Sequence, residues 1–251
     1  YSDDKYVKAF TEQLLDWISE NIEIEKTDKM LWRTLEAGLR ADYWVRAMAL
    51  FADSPLITGD VKEKFFSALA IHAKHLAENP KKGFSIKSNW GVMEYTGLYV
   101  LSHILKNSEY RETSVHFLKL ALRTQIHDDG MQWEASPMYH NEVLDAFFEV
   151  LRVAKLYNDE IFSEDEKNII KNMAFATLQH TYPNHHQFLT GDSDDTDVRD
   201  LLSRAALLFK DSSLKFAGYK KLDFESAWLF GTEGTLSYEK LETKKLSGGL
   251  I

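Results

Sequence analysis

Helical periodicity runs through almost the whole chain, and it restricts the fold more than any other feature. In the segment 6–22, for example, the apolar side chains of Phe10, Leu14 and Ile18 recur at the spacing of one helical face. Only 12 glycines and 4 prolines interrupt the 251 residues. Sandwiches and barrels consume those residues in frequent turns. The pattern therefore predicts an all-α protein built from long helices.

Eight segments carry this pattern, and most of the connections between them are short. They are Tyr6–Ile22, Asp60–Glu78, Asn89–Lys106, Ser108–Ile126, Pro137–Asn158, Ser163–His180, Asp195–Lys210 and Phe224–Phe230. Helices of similar length joined by short loops pack in antiparallel pairs. The segment 89–106 is apolar on all sides, which predicts a buried inner helix. Periodicity alone does not distinguish a toroid from a bundle or a solenoid.

The character of the sequence changes after residue 230. Gly231 and Gly234 interrupt the helical pattern, and Leu236 and Tyr238 alternate with polar residues. We therefore divide the chain into a helical domain, residues 1–230, and a linker, residues 231–251.

Composition excludes several classes of function. The net charge of −9 disfavours a basic nucleic-acid-binding face. No stretch has the roughly 18 uncharged apolar residues that a membrane helix needs. The absence of cysteine removes disulfides and thiolate metal sites. The chain opens on charged residues and shows no signal peptide.

The most unusual local segment is the polar, aromatic run Gln125–His140, which lies between two predicted helices. It holds two histidines, two aspartates, a glutamate, Trp133 and Tyr139. Loops of this composition often carry function. The alternative is a plain connector in which Ser136 caps the next helix and the two aromatic side chains are buried. Spacing alone leaves both interpretations open.

Three other places combine residues of chemical interest. Asn89 stands where a helix should begin, and its simplest interpretation is an N-cap. Trp32, Glu36 and Arg40 share a face if their segment is helical, which suits either sugar binding or a surface ion pair.

The third place is the segment 180–197, which is rich in histidine and aspartate but matches no standard metal-binding spacing. We expect Asp195 or Thr196 to cap the following helix, and His185 and His186 to face a cleft.

Taken together, four of these segments resemble the N-terminal domain of heparinase II/III-type polysaccharide lyases, and the heparinase III-like, heparan-sulfate lyase branch most. They occur in the family's order and are Trp32–Arg40, Asn89–Glu94, Asp129–His140 and Gly191–Asp194. The resemblance implies an all-α, incomplete (α/α) toroid of antiparallel helix pairs. It also implies a following β-sandwich domain, absent from this chain, with the active site in the cleft between the two domains.

The resemblance also implies roles for individual residues. Asn89 matches the asparagine that neutralises a uronate carboxylate, and Tyr139 matches the tyrosine of proton transfer, while a histidine from the second domain completes the site. Alginate-type relatives carry Asn-His at the first motif, whereas this chain has Asn89-Trp90. The expected substrate-binding residues are Trp32, Glu36, Arg40, Trp90, Glu94, Trp133, Glu134, His140, His185 and His186.

The implied activity is β-elimination on a uronic-acid-containing glycosaminoglycan, with heparan sulfate as the expected substrate. This chemistry requires no metal and no cofactor. The expected partners are the acidic polysaccharide and the protein's own β-sandwich domain, and polymeric substrates imply a secreted or periplasmic location.

Two alternatives stay open. One is an (α/α)-barrel glycoside hydrolase that uses a carboxylate pair, Asp129 with Glu134 or Asp192. The other is a non-catalytic, carbohydrate-binding helical module.

Overall fold

The computed structural model describes residues 3–78 and 82–245, and these ranges are predominantly helical. The helices are α1 (Asp4–Asn21), α2 (Thr34–Phe51), α3 (Gly59–Glu78), α4 (Lys82–Ser85), α5 (Asn89–Ile104), α6 (Ser108–Gln125), α7 (Pro137–Tyr157), α8 (Glu164–Gln179), α9 (Arg199–Phe209), α10 (Ser212–Ala217) and α11 (Phe224–Lys240). In these ranges β-pairing is limited to three isolated bridges. The predicted all-α class is confirmed. No described helix is both long enough and apolar enough to cross a bilayer.

The chain forms two compact units. Unit 1 comprises Tyr1–Ser85 and Trp90–Leu118, and unit 2 comprises Ile86–Asn89 and Lys119–Ile251. In unit 1, α3 packs against both α1 and α2. Its core is made of fully buried apolar side chains such as Leu69 of α3. The amphipathic faces that the sequence predicted for α1 and α3 therefore meet each other.

Two glycines let α2 and α5 approach closely inside unit 1. A Cβ atom added to Gly97 would lie 2.5 Å from the carbonyl oxygen of Gly38 and 2.7 Å from its Cα atom. Real Cβ atoms do not come this close to backbone, so these glycines are required by packing. The rest of α5 is buried almost throughout, which confirms the predicted inner helix.

In unit 2, α7, α8 and α9 pack on one another, and α10 and α11 contact α9. Ser163 caps α8 with the predicted capping box, in which its hydroxyl accepts from the Glu166 N–H and the Glu166 carboxylate accepts from the Ser163 N–H. The prediction for α9 is wrong at its start. The helix begins at Arg199, and neither Asp195 nor Thr196 caps it.

The segment after residue 230 differs from the predicted linker. Helix α11 continues to Lys240, with a kink at Gly231, whose φ of +64° is accessible to glycine. Tyr238 is fully buried in unit 2, and its hydroxyl donates to the Tyr219 carbonyl oxygen. Residues 246–251 of the predicted linker lie outside the described residues.

A buried lysine holds the end of α11. The Lys215 ammonium group donates to the carbonyl oxygens of Tyr238 at 2.7 Å, Leu241 at 2.6 Å and Glu239 at 3.3 Å. The first and third of these carbonyls belong to the last turn of α11 and the second to its C-cap residue, and the Tyr238 carbonyl also accepts from the Leu241 N–H at 3.2 Å. The positive charge also complements the helix dipole. Lys215 therefore caps α11 from outside the helix.

We expect Gly97→Ala to lower the free energy of unfolding by about 2 kcal/mol or more, since the new methyl group meets backbone of α2. Gly59→Ala is the matched control, because nothing lies within 4 Å of its added Cβ. An alanine there leaves stability unchanged or slightly raised. Chemical denaturation of the intact protein measures both. Equal stability of the two variants would contradict the close approach of α2 and α5.

We expect Lys215→Met to cost about 2 kcal/mol of stability, because it removes three charge-assisted hydrogen bonds at the end of α11. Lys220→Met, at an exposed lysine of the same unit, is the control and should change little. Calorimetry on the intact protein reports the difference. If the two variants have the same melting temperature, Lys215 is not the cap of α11.

Candidate functional site

The connection between α6 and α7 folds into a tight turn within unit 2. Ile126 and Gln132 form an antiparallel bridge across it. Gly130 stands at the tip with φ of +89°, and a Cβ atom there would lie 2.5 Å from the Asn172 carbonyl oxygen of α8. Asp129 accepts from the Met131 N–H at 3.0 Å. The glycine therefore fixes the loop directly on α8.

Two glutamines that the sequence analysis did not single out hold this loop from inside. Gln132 and Gln125 are both almost completely buried. The Gln132 amide donates to Gln125 Oε1 at 3.1 Å and to Glu134 Oε2 at 2.7 Å. Gln125 in turn donates to the Ser88 carbonyl oxygen at 3.0 Å. Buried amides need partners, and here they link the loop to the residues that precede α5.

Asn89 binds a carboxylate of the protein. Its backbone N–H donates to Glu134 Oε2 at 2.9 Å, and its side-chain amide donates to Glu134 Oε1 and Oε2 at 3.2 and 3.1 Å. Asn89 is the first residue of α5, so the simple N-cap interpretation is wrong. Glu134 supplies the negative charge at this helix N-terminus instead. The arrangement shows that the Asn89 amide can hold a carboxylate.

Tyr139 lies on the first turn of α7, and its hydroxyl donates to the carboxylate of Asp192. This hydrogen bond raises the pKa of Tyr139. Burial and the negative charges of Asp192, Glu134 and Asp194 act in the same direction. Tyr139 and the Asn89–Glu134 pair lie in the same unit, and the charge of Glu134 acts on the Tyr139 hydroxyl. The phenol keeps its proton at neutral pH and can serve as an acid.

His140 points away from Tyr139 and into unit 2. Its Nδ1 accepts from the Gln132 N–H at 3.2 Å, and its Nε2 lies 3.0 Å from the Met173 carbonyl oxygen and 3.1 Å from the Thr177 hydroxyl. Burial lowers the pKa of His140 to about 4. The neutral imidazole is almost completely buried and braces the loop against α8.

Trp133 is the exposed aromatic residue of the loop, with 46% of its surface accessible. The connector interpretation, which buried Trp133 and Tyr139, is therefore wrong for the tryptophan. Ser136 does occupy the N-cap position of α7, with Pro137 at N1, but its side chain makes no capping bond to this helix.

Three predicted binding residues of unit 1 are arranged differently from the expected helical face. Trp32 precedes α2 and is 4% exposed. Glu36 pairs with Arg33, whose Nε lies 2.9 Å from Oε2. Arg40 donates from Nε to His72 at 2.9 Å. The alternative of a surface ion pair between Glu36 and Arg40 is wrong, because Arg33 binds the Glu36 carboxylate and Arg40 donates to His72.

An aromatic cluster surrounds Arg40. Its guanidinium group lies 4.1 Å from the ring centroid of Trp17 and 5.1 Å from that of Trp32. Burial lowers the pKa of Arg40 to about 10 and that of the adjacent His72 to about 3. The guanidinium stays charged at neutral pH and the imidazole stays neutral. The cluster therefore takes part in the packing of unit 1, although Arg40 itself is only half-buried.

Trp90 and Glu94 of α5 lie in unit 1. Glu94 is buried and accepts from the Thr34 hydroxyl. Trp90 is half-buried, with its ring 5.6 Å from Phe84 and 5.1 Å from the Arg33 guanidinium group. Trp90 thus presents part of its surface, whereas Glu94 fixes the packing of α5 on the start of α2.

His185 and His186 lie in the loop between α8 and α9, in unit 2. His186 Nδ1 is 2.7 Å from an Asp195 oxygen. His185 has a positive φ of 71°, and its carbonyl oxygen accepts from the Val198 N–H. Among the described residues no group of three or more His, Asp or Glu side chains is arranged to hold a metal ion.

Unit 2 thus contains Asn89, Glu134, Tyr139 and Asp192, which the sequence analysis named only for the hydrolase alternative. The remaining predicted residues divide between this unit and unit 1. Contact with a substrate stays a prediction for all of them.

Known proteins resemble this chain in sequence and in fold. The profile of the family described as Heparinase II/III N-terminus matches residues 1–216. The heparin-sulfate lyase of Pedobacter heparinus is 26% identical over 203 residues, which are 78% of this chain and 30% of that protein. A crystal structure described as a heparan sulfate lyase from Pedobacter heparinus matches with a TM-score of 0.66 and 26% identity over 86% of this chain and 35% of that one.

A crystal structure of heparinase III matches with a TM-score of 0.72 and 20% identity, over 86% of this chain and 35% of that one. This similarity shows the fold. The chain spans about a third of the length of the relatives it matches. Since the family profile covers most of the sequence, the chain belongs to the heparinase II/III family and corresponds to its N-terminal region.

Proposed function

We propose that this chain is the helical part of a polysaccharide lyase that cleaves a uronic-acid-containing glycosaminoglycan, heparan sulfate, by β-elimination. The observation that carries the proposal is the Asn89 amide, which already binds a carboxylate beside a protonated Tyr139. The names of the relatives as heparin-sulfate lyases support the substrate class. The matched relatives are about three times longer, so the proposal concerns the intact protein.

In β-elimination a base removes the C5 proton of the uronate, the C4–oxygen bond breaks, and a C4=C5 double bond forms. Negative charge develops on the uronate carboxylate as the C5 proton leaves. The two oxygens of Glu134 subtend a much smaller angle at Asn89 Nδ2 than its two N–H bonds do. One N–H therefore serves Glu134, and the second can donate to the substrate carboxylate and stabilise this charge.

Tyr139 supplies the proton for the leaving C4 oxygen in this proposal. Its raised pKa keeps the hydroxyl protonated, which suits the acid role and opposes a base role. The base that takes the C5 proton is then expected from the second domain, as the family resemblance implies. The phenolate left after transfer regains a proton from water.

Trp133 is the proposed stacking surface for a sugar ring, because its exposed indole stands on the same loop as Glu134. Trp90, Glu36, Arg40, His185 and His186 are further proposed contacts. We also propose that the protein works outside the cytoplasm, where polymeric glycosaminoglycans are found.

The hydrolase alternative finds less support. A glycoside hydrolase needs one carboxyl group to protonate the leaving oxygen and another to act as nucleophile or base. Glu134 and Asp192 both accept hydrogen bonds from side chains of the protein, and Asp129 caps its own turn. The products discriminate the two activities, because the lyase product absorbs ultraviolet light through its new double bond.

We expect Tyr139→Phe to lower kcat of the intact protein on heparan sulfate by about 10²–10⁴, since the general acid is removed while the ring is kept. Ultraviolet absorbance of the unsaturated product measures the rate. Tyr182→Phe is the control, as this exposed tyrosine lies in the same unit. Full activity of Tyr139→Phe would refute the assigned role.

We expect Asn89→Asp to lower kcat by about 10²–10³, because a donor that stabilises the anion becomes a second negative charge beside Glu134. Asn172→Asp adds the same charge at an exposed position of unit 2 and should retain activity. Calorimetric titration with heparan sulfate oligosaccharides separates binding from turnover. A protein that binds without turnover, with binding unaffected by Asn89→Asp, would instead be a carbohydrate-binding module.

A further inference from the structure

The loop Gly191–Asp194 contacts the start of α7 at several points. The Asp192 carboxylate accepts from the Tyr139 hydroxyl. The Ser193 hydroxyl accepts from the Met138 N–H at 3.2 Å and lies 2.9 Å from the hydroxyl of Ser136. Ser136 also donates to the Asp192 carbonyl oxygen at 3.1 Å. Two neighbouring residues of a distant loop therefore contact both the backbone and the functional side chain of this helix.

Ser193 takes the role that sequence assigns to Ser136. Ser136 holds the N-cap position but forms no capping bond, whereas Ser193 satisfies one of the open N–H groups of the first turn. Ser193 accepts from the N–H of Met138, and Tyr139 is the next residue in the chain. The loop thus fixes the backbone from which the Tyr139 ring projects.

We propose that Asp192 and Ser193 are positioning residues for Tyr139: Ser193 fixes the start of α7, and Asp192 fixes the direction of the Tyr139 hydroxyl and retains its proton until substrate binds. The proposal rests on the proposed role of Tyr139 in proton transfer. Its first test requires no turnover, so its failure and the failure of the lyase assignment are distinguishable.

The charged groups around Tyr139 act in one direction. Asp192 and Asp194 face it from the loop and Glu134 from the α6–α7 connection, and all three raise its pKa. His140, next to it on α7, is directed into unit 2 and stays neutral. A raised pKa means that the acid form persists to higher pH. Activity that needs a protonated Tyr139 therefore also persists to higher pH.

The first test is the ionisation of Tyr139 in the intact protein. The ultraviolet difference titration of wild type minus Tyr139→Phe isolates this phenol from the other tyrosines. We expect it to ionise above the ordinary value of about 10, and at lower pH in Asp192→Asn, which keeps an acceptor but removes the charge. Asp194→Asn is the matched control, with a smaller shift because Asp194 acts on Tyr139 through its charge alone.

If wild-type Tyr139 ionises at or below the ordinary tyrosine pKa of about 10, the proposal is overturned, and no Asp192 variant is needed to show it. The same ionisation pH in wild type and Asp192→Asn would also overturn it. Ser193→Ala is the milder variant, since it removes only the cap. We expect a lower melting temperature and a smaller downward shift of the Tyr139 ionisation, and no shift at all would exclude Ser193 from the positioning role.

The second test is the pH dependence of kcat. In Asp192→Asn the alkaline limb should move to lower pH by the shift that the titration measures, because the acid form of Tyr139 is lost earlier. An unmoved limb despite a shifted titration would show that Asp192 does not act through the Tyr139 proton during turnover. If Tyr139→Phe is fully active while the titration behaves as expected, the lyase role of Tyr139 fails and the positioning contact stands.

Discussion

The hydrogen bonds of the Glu134 carboxylate hold together the parts of unit 2 that carry the candidate chemistry. Glu134 accepts from the backbone and side chain of Asn89 and from the buried amide of Gln132. Loss of this acceptor would leave both Asn89 donors without this partner and the Gln132 amide with only Gln125, and a buried donor without a partner costs about 1–3 kcal/mol. The start of α5 and the loop before α7 are therefore positioned as one arrangement.

This arrangement of hydrogen bonds also places the negative charge of Glu134 where it acts on Tyr139. Glu134, Asp192 and Asp194 favour the protonated phenol, and the same charges repel an anionic sugar. A uronate can approach only if its carboxylate meets donors that bring no further negative charge. The Asn89 amide is such a donor. The acidic surroundings thus keep the phenol protonated and require that substrate binding rely on neutral donors or on cations from elsewhere in the intact protein.

Local signals predicted the elements well where the determinants are local. The capping box of Ser163 and the apolar face of α5 lie within a few residues of the helices they define, and both are confirmed. Helix α11 was missed after Gly231, because Tyr238 is buried and Lys215 caps the helix from 23 residues away along the chain. No local pattern encodes such a contact. The alternative of an ion pair between Glu36 and Arg40 also failed, because Arg33 binds the Glu36 carboxylate instead.

For the candidate site, the order of motifs was enough to select Asn89 and Tyr139 but not their partners. A buried glutamine or a capping serine looks like any surface polar residue in a sequence, so Gln132 and Ser193 emerge only from following each donor to its acceptor. These hydrogen bonds also change the expected mode of substrate binding. Both proposed donors already serve carboxylates of the protein. At Tyr139 a substrate then exchanges one acceptor for another, which adds little ground-state affinity and favours contacts that strengthen as charge develops in the transition state.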